Sequence, residues 1–248
     1  MSGALVESLR KKFDDIEEFF SIVGLIDQNQ NVYPLGTDTK VLSTIFELVS
    51  RPHIVSVAEE LGLIVEEPDK QNYYPDFTIY DPLSPFEKVA IDVKTTYRPN
   101  RDSTFGYTLG GYTSFIRREK SSKNILYDYS EYRSHWILGF VYERNAAAQN
   151  AKPEVKKATD LLGIPLAIEG IEIFLQQKWK IASDKAGSGN TTNIGSIKGK
   201  IEEFENGQGP FESEEEYLEY WRGYARTKKE RENAYSSIEE FREIRGLS

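Results

Sequence analysis

Residues 74–97, YPDFTIYDPLSPFEKVAIDVKTTY, constrain the fold more than any other stretch of the chain. Two apolar runs rich in aromatic and β-branched residues flank a short segment holding Pro82 and Pro85, the pattern of two strands joined by a turn. Alternate side chains of a strand share a face, so Val89, Ile91 and Val93 are expected on one side and Ala90, Asp92 and Lys94 on the other. The first face is expected to be core and the second to carry chemistry. If residues 81–87 turn the chain back on itself, Asp76 lies alongside Asp92. Two neighbouring carboxylates repel and raise each other's pKa unless a cation sits between them, and a divalent metal ion is the natural cation. A surface salt bridge among Asp76, Asp92 and Lys94 is the competing explanation.

The rest of the composition narrows what that cation and its setting can be. With 248 residues and 39% apolar content the chain can bury a full core, as one large α/β domain or one domain with a small appendage. There are no cysteines, which excludes disulfides, zinc-thiolate sites and thiol nucleophiles and fits a reducing compartment. His53 and His135 are the only imidazoles, so a metal site leans on oxygen ligands, which suit magnesium, manganese or calcium. The opening residues, MSGALVESLRKKFDDIEEFF, carry charges throughout and read as an amphipathic helix rather than a signal peptide. No stretch approaches the roughly 18 consecutive apolar residues of a membrane span, so no membrane partner is expected.

A net charge of −9 argues, by itself, against a nucleic-acid partner. The basic residues are unevenly placed, however: Arg98, Arg101, Arg117, Arg118, Lys120 and Lys123 form one group, and Arg222, Arg226, Lys228, Lys229 and Arg231 another. They are either phosphate-contacting patches or solvated faces balanced by nearby acids.

Along the chain, residues 4–20 repeat apolar positions at helical spacing, and SIVGLI and NVYPL flank the turn-like DQNQ as a hairpin. TDTKVLSTIFELVSRP opens with a Thr/Asp cap and is expected to end before Pro52, with a second helical stretch running through Glu60 to Gly62. Strands are expected over 63–67, 73–80, 88–97 and 107–112, then in HWILGFVYE and IEIFLQQKWKIA, separated by a polar excursion over 145–165. Closing helices follow from residue 211 onward. The reading is α/β, with a mixed central sheet of about five or six strands flanked by helices.

The acid and lysine pattern alone is weak. Asp38-Thr39-Lys40 and Glu154-Val155-Lys156 also match acid-x-Lys, and Pro68-Asp69 repeats the Pro-Asp pair. Context separates them, because Asp69 lies in a polar turn and Glu154 in the polar excursion, whereas Asp76 opens the strand FTIY. Pro75-Asp76 with Asp92-x-Lys94 is the signature of the PD-(D/E)XK nucleases. Together with YPLGTDTKVLSTIFELVSRP, VEEPDKQNYYPDFTIY, AIDVKTTY, TLGGYTSFIR and AGSGNTTNIGSI, it makes the chain resemble the EcoRV-like type II restriction endonucleases of that superfamily. The likeness extends, with gaps, over nearly the whole chain. Departures are concentrated in residues 1–20, 98–106, 145–165 and 229–248.

The resemblance implies a restriction-endonuclease-like fold and magnesium-dependent hydrolysis of double-stranded DNA. Manganese would substitute, and calcium would support binding without cleavage. Asp76 and Asp92 would hold the metal, with Glu47 as an auxiliary acid from the helix and Lys94 completing the catalytic set. On that helix Lys40, Ser43 or Thr44, and Glu47 share one face, leaving Val41, Ile45, Leu48 and Val49 for the core. Beside carboxylates, Lys94 is expected to stay charged, orienting the attacking water and stabilising the transition state rather than acting as a neutral base.

GSGNTTNIGS, residues 187–196, is by composition either a flexible polar loop or a base reader. The family likeness favours reading and carries over to Gly187, Ser188, Gly189, Asn190, Thr191 and Asn193. KQNYY similarly places Gln71 and Asn72 on the minor-groove side, with further DNA contacts implied for Thr39, Lys40, Thr95, Thr96, Thr108 and Ser114. A palindrome read by identical loops needs a twofold protein, so a homodimer is expected, and the loop's resemblance to the family implies a GATATC-type hexamer cut bluntly at its centre. Residues 1–36 plus 145–165 are assigned to dimerisation, and 37–144 with 166–248 to the catalytic and recognition core. The setting implied is cytoplasmic, with a DNA methyltransferase in the same system but not in contact. A structure-specific repair or recombination nuclease of the same fold, and a non-catalytic DNA-binding protein, are the rival readings.

Overall fold

The computed structural model describes residues 2–14, 16–70, 72–111, 115–117, 124–152, 154–187, 193–224 and 234–246. Two helices, α1 (Ser2–Lys12) and α2 (Ile16–Phe19), occupy the stretch expected to be one. The hairpin of β1 (Gly24–Ile26) and β2 (Asn31–Pro34) follows. Its turn is built by Asp27, whose carboxylate accepts from the backbone N–H of Asn29 and Asn31, both at 2.9 Å.

Helix α3 (Thr39–Glu60) begins at Asp38, which accepts from the N–H of Lys40 and Val41, and it runs straight through Pro52 instead of stopping there. Proline removes one backbone bond from the helix. Leu42, Ile45 and Phe46 before it and Ile54, Val57 and Ala58 after it are buried in one core, and that burial holds both halves in one helix. The exposed side differs from expectation: Val41 and Leu48 face solvent, and Leu42 and Phe46 take the core positions. By length and mean hydropathy α3 could cross a bilayer, but its apolar face lies on the sheet described next, as in a core helix. Gly62, at φ +69°, ends it in a left-handed conformation that glycine adopts without strain.

β3 (Ile64–Glu66), β4 (Phe77–Asp81), β5 (Ser84–Arg98), β7 (Tyr132–Arg144) and β9 (Ile168–Gln177) form the central sheet, in the order β3-β4-β5-β7-β9. Only β5 and β7 run parallel, so the sheet is mixed. Pro82 and Leu83 make the tight turn between β4 and β5, where Asp81 stands opposite Ser84. Both faces of the sheet are core. Val89, Ile91, Val93, Leu138 and Phe140 pack towards α1 and α3. Ala90, Ile137, Val141 and Phe174 face the opposite layer, so the face carrying Asp92 is chemistry only at its end.

That opposite layer contains β6 (Thr108–Gly111), β10 (Ala182–Ala186) and β11 (Asn193–Ser196), ordered β10-β11-β6. The helices after β11 complete the layer. The run IEIFLQQKWKIA is not one strand. β9 stops at Gln177, and a helical turn, Lys178–Ile181, intervenes before β10 leaves for the second sheet. Within the expected excursion over 145–165, β8 (Lys156–Lys157) pairs with β2, giving a third sheet, β1-β2-β8.

Candidate active site

The β4–β5 hairpin places the acids where its period-two pattern requires. Phe77 is opposite Ile91, so one step further along Asp76 faces Asp92. The Val93 N–H donates to Asp76 Oδ2 at 2.6 Å, which pins the carboxyl against the neighbouring strand. Asp92 is 5% exposed, and its Oδ2 lies 2.5 Å from Lys94 Nζ. Lys94 also donates to the Val93 carbonyl at 3.1 Å. Glu47 reaches the same place from α3, where it and Asp76 share a cavity of about 180 Å³ walled on its outer side by the Arg51–Glu67 ion pair.

Charge is unbalanced in this corner. Burial, then the Asp92 carboxylate, pushes the Asp76 carboxyl up to about 8, against the opposing pull of Lys94 and the Val93 N–H. Burial also raises Glu47, with Lys94 opposing and Asp92 adding to it. Burial pulls Lys94 down, but Asp92, Asp76 and Glu47 outweigh it, and the net effect is upward, so the ammonium stays charged. Three acids against one lysine, with oxygen the only donor atom, fit a hard divalent cation. Among the described residues no three acids or imidazoles form a complete protein cage. Magnesium needs none, because it keeps several waters and binds one or two carboxylates together with substrate phosphate.

The other acid-x-Lys matches resolve into ordinary structure. Asp38 is the α3 cap, Glu154 and Lys156 form an exposed pair at 3.2 Å, and Asp69 lies in an exposed bend. Neither imidazole belongs to the acid cluster: His53 stacks on Phe19 at 4.0 Å, and His135 is buried with Nδ1 2.7 Å from the Tyr74 hydroxyl. Arg98, grouped with the basic residues by sequence, is 2% exposed and paired with Glu143 and Glu172 inside the fold, so it is no surface cation. Arg101 also pairs with Glu172, at 2.8 Å.

Of the residues singled out for DNA contact, Gly187 and Asn193 close the base of the β10–β11 hairpin, with the Gly187 N–H donating to the Asn193 carbonyl at 2.7 Å. Thr108 lies beside them on β6, its side chain 3.4 Å from where a Gly187 Cβ would be. Thr95 and Thr96 are half-buried on β5 just beyond Lys94, Thr39 and Lys40 are exposed on the first turn of α3, and Asn72 is exposed before β4. Ser188, Gly189, Asn190, Thr191, Gln71 and Ser114 lie outside the described residues, as do Arg118, Lys120, Lys123, Arg226, Lys228, Lys229 and Arg231. Sequence reasoning missed Lys178, which is 1% exposed and lies over the Tyr74 ring. The signal was a lysine interrupting an apolar run.

Residues 16–246 match the family described as Restriction endonuclease EcoRV, and the chain belongs to it, which makes it an endonuclease of the type II restriction class. Within that class the chain is 50% identical over 228 residues to the type II restriction enzyme EcoRV of Escherichia coli, covering 92% of each chain. Among solved structures it is similar to the NlaIV restriction endonuclease, at 12% identity and a TM-score of 0.45, over 98% of this chain and 90% of the other.

Proposed function

We propose that the chain is a magnesium-dependent enzyme that hydrolyses double-stranded DNA at a GATATC-type palindrome, cutting bluntly at the centre and leaving 5′-phosphates. What carries this reading is the facing of Asp76 and Asp92 beside Lys94, with the Asp76 carboxyl raised first by burial and then by the Asp92 carboxylate. Asp76 and Asp92 hold the metal, and Glu47 supplies an auxiliary oxygen from α3. A divalent cation held by Asp76 and Asp92 would supply Lewis acidity at the scissile phosphate and offset charge on the leaving oxygen. Lys94, charged and tied to Asp92, orients the attacking water and stabilises the extra negative charge of the transition state. Manganese substitutes, whereas calcium, with its longer bonds and higher coordination number, supports binding without hydrolysis.

Gly187, Ser188, Gly189, Asn190, Thr191 and Asn193 read bases, and Thr108 and Ser114 make further DNA contacts. Gln71 and Asn72 approach the minor groove, and Thr39, Lys40, Thr95 and Thr96 contact the backbone. Two copies, joined through residues 1–36 and 145–165, each cut one strand, and a methyltransferase protects the host site without touching the nuclease. The test is digestion of a defined plasmid with magnesium, calcium or EDTA, followed by end mapping, for wild type, Asp92→Asn and Asp76→Ala. Blunt ends at one hexamer from wild type with magnesium only, and none from either variant, are expected. Cleavage in EDTA by a folded variant defeats the metal assignment.

A further inference from the structure

Lys178 presents a problem that its packing does not solve. Its side chain is 1% exposed, and among the described residues its Nζ has no hydrogen-bond partner. A buried ammonium without a partner costs several kcal/mol, and an apolar side chain of the same length would fill the space without that cost. What surrounds the charge is aromatic: Nζ lies 4.7 Å from the centre of the Tyr74 ring and 5.9 Å from that of Phe115. Those two rings are stacked at 5.1 Å, and Tyr74 also stacks on His135 at 5.8 Å. Tyr74 in turn is joined through Pro75 to Asp76, the acid that must face Asp92.

We propose that Lys178 is a positioning residue of the cleavage site that acts through Tyr74: its ammonium clamps the Tyr74 ring from the core side and so fixes Pro75 and Asp76 against β5. A cation on a desolvated ring face is attracted by the ring quadrupole, which gives the clamp a direction that an apolar contact lacks. The site's own charges act on the same ammonium. Burial brings Lys178 down to about 8, while Asp92 works against that fall and Lys94 with it. The charge is therefore kept for the geometry of Asp76 and not for the stability of the fold. This inference rests on reading Asp76 and Asp92 as the metal-holding pair.

The experiment compares wild type, Lys178→Met, Tyr74→Phe, Tyr74→Leu, the Lys178→Met/Tyr74→Leu double variant and Asp92→Ala as full chains. It measures thermal midpoint in EDTA, then single-turnover cleavage of plasmid DNA across a magnesium titration. Lys178→Met should melt no lower than wild type, because methionine packs well on aromatic rings and removes an unpaired charge. Its magnesium requirement should rise and its maximal rate fall, together by about 10–100-fold, as when a group that orients metal ligands is lost. Tyr74→Phe keeps the ring face and should stay near wild type in rate and magnesium requirement while melting lower for want of its bond to His135, whereas Tyr74→Leu should match Lys178→Met in rate and magnesium requirement. The double variant should be no worse than the poorer single one, since both remove one contact.

A Lys178→Met chain that melts lower than wild type, or that cuts with wild-type rate and magnesium requirement, overturns the proposal, as do losses that multiply in the double variant. Asp92→Ala separates the two levels: cleavage by that chain removes the metal-site reading itself, whereas its inactivity beside a fully active Lys178→Met rejects the clamp alone.

Discussion

Asp76 is held where the fold alone would not place an ionised carboxylate. Its pKa is raised from 3.8 to about 8, so the folded chain keeps a proton that the unfolded chain gives up between those values. The stability this supplies is complete below pH about 4 and is lost as pH rises through about 8. Asparagine mimics the protonated acid and can still accept from the Val93 N–H, so Asp76→Asn should be more stable than wild type in EDTA. The gap should open between pH 4 and 8 and reach about 1–3 kcal/mol. Urea denaturation at several pH values reads it directly, and a gap independent of pH would contradict the shift. Magnesium should narrow the gap, since only the wild type gains a ligand-binding carboxylate.

Asn193 poses the other residue-scale question. Its carbonyl closes the hairpin by accepting from the Gly187 N–H, and Asn193→Ala leaves that bond in place. If its side chain reads a base, discrimination should fall by about 1–3 kcal/mol, roughly tenfold to a hundredfold, with non-specific binding and its salt dependence unchanged. Cleavage of a cognate duplex and its single-base variants at matched salt decides the matter. Wild-type selectivity from both Asn193→Ala and Asn190→Ala would remove the loop from recognition.

At the scale of elements, β7 is the strand that carries the sheet, because it lies between β5 and β9 with both faces in core. Gly139 sits at its centre opposite Phe174, whose ring occupies the space a Cβ would need: the nearest ring atoms would be 2.2 Å away. Phe174 is 3% exposed, so its ring must shift within the core to admit a methyl. Gly139→Ala should therefore destabilise by about 1–3 kcal/mol, the cost of overpacking a core, and a thermal or urea midpoint measures it. Adding the smaller Phe174→Leu should recover part of the loss, since it empties the space that the new methyl needs.

For the whole molecule, the dimer proposal has a surface to test. Leu25 and Ile26 on β1 and Leu161 and Leu162 in the turn Ala158–Gly163 are exposed, and β8 links the two segments through β2. Sedimentation should give twice the 28.4 kDa of one chain. Leu162→Glu combined with Ile26→Glu should give monomers that bind DNA at least about tenfold more weakly, because burying carboxylates in an apolar interface is costly. Double-strand cleavage at a palindrome should be lost with the dimer. A variant that remains dimeric and active would move the interface elsewhere.

Much of this molecule is legible in one dimension because its main signals have short periods. The alternation around Asp92 predicts the hairpin, the facing of Asp76 and Asp92 and the division of β5 between two faces, all of which depend on neighbours two residues apart or across one turn. The caps at Asp38 and Gly62 are equally local. What the tertiary structure alone decided is which of several permitted outcomes had packing behind it. Pro52 reads as a stop, yet α3 continues because residues on both sides are buried in one core. Val41 and Leu48 were as apolar as Leu42 and Phe46, but only the second pair met the sheet. Arg98 looks like a surface cation in sequence and lies inside, because burial depends on elements distant in the chain, and no local pattern records what those elements bring.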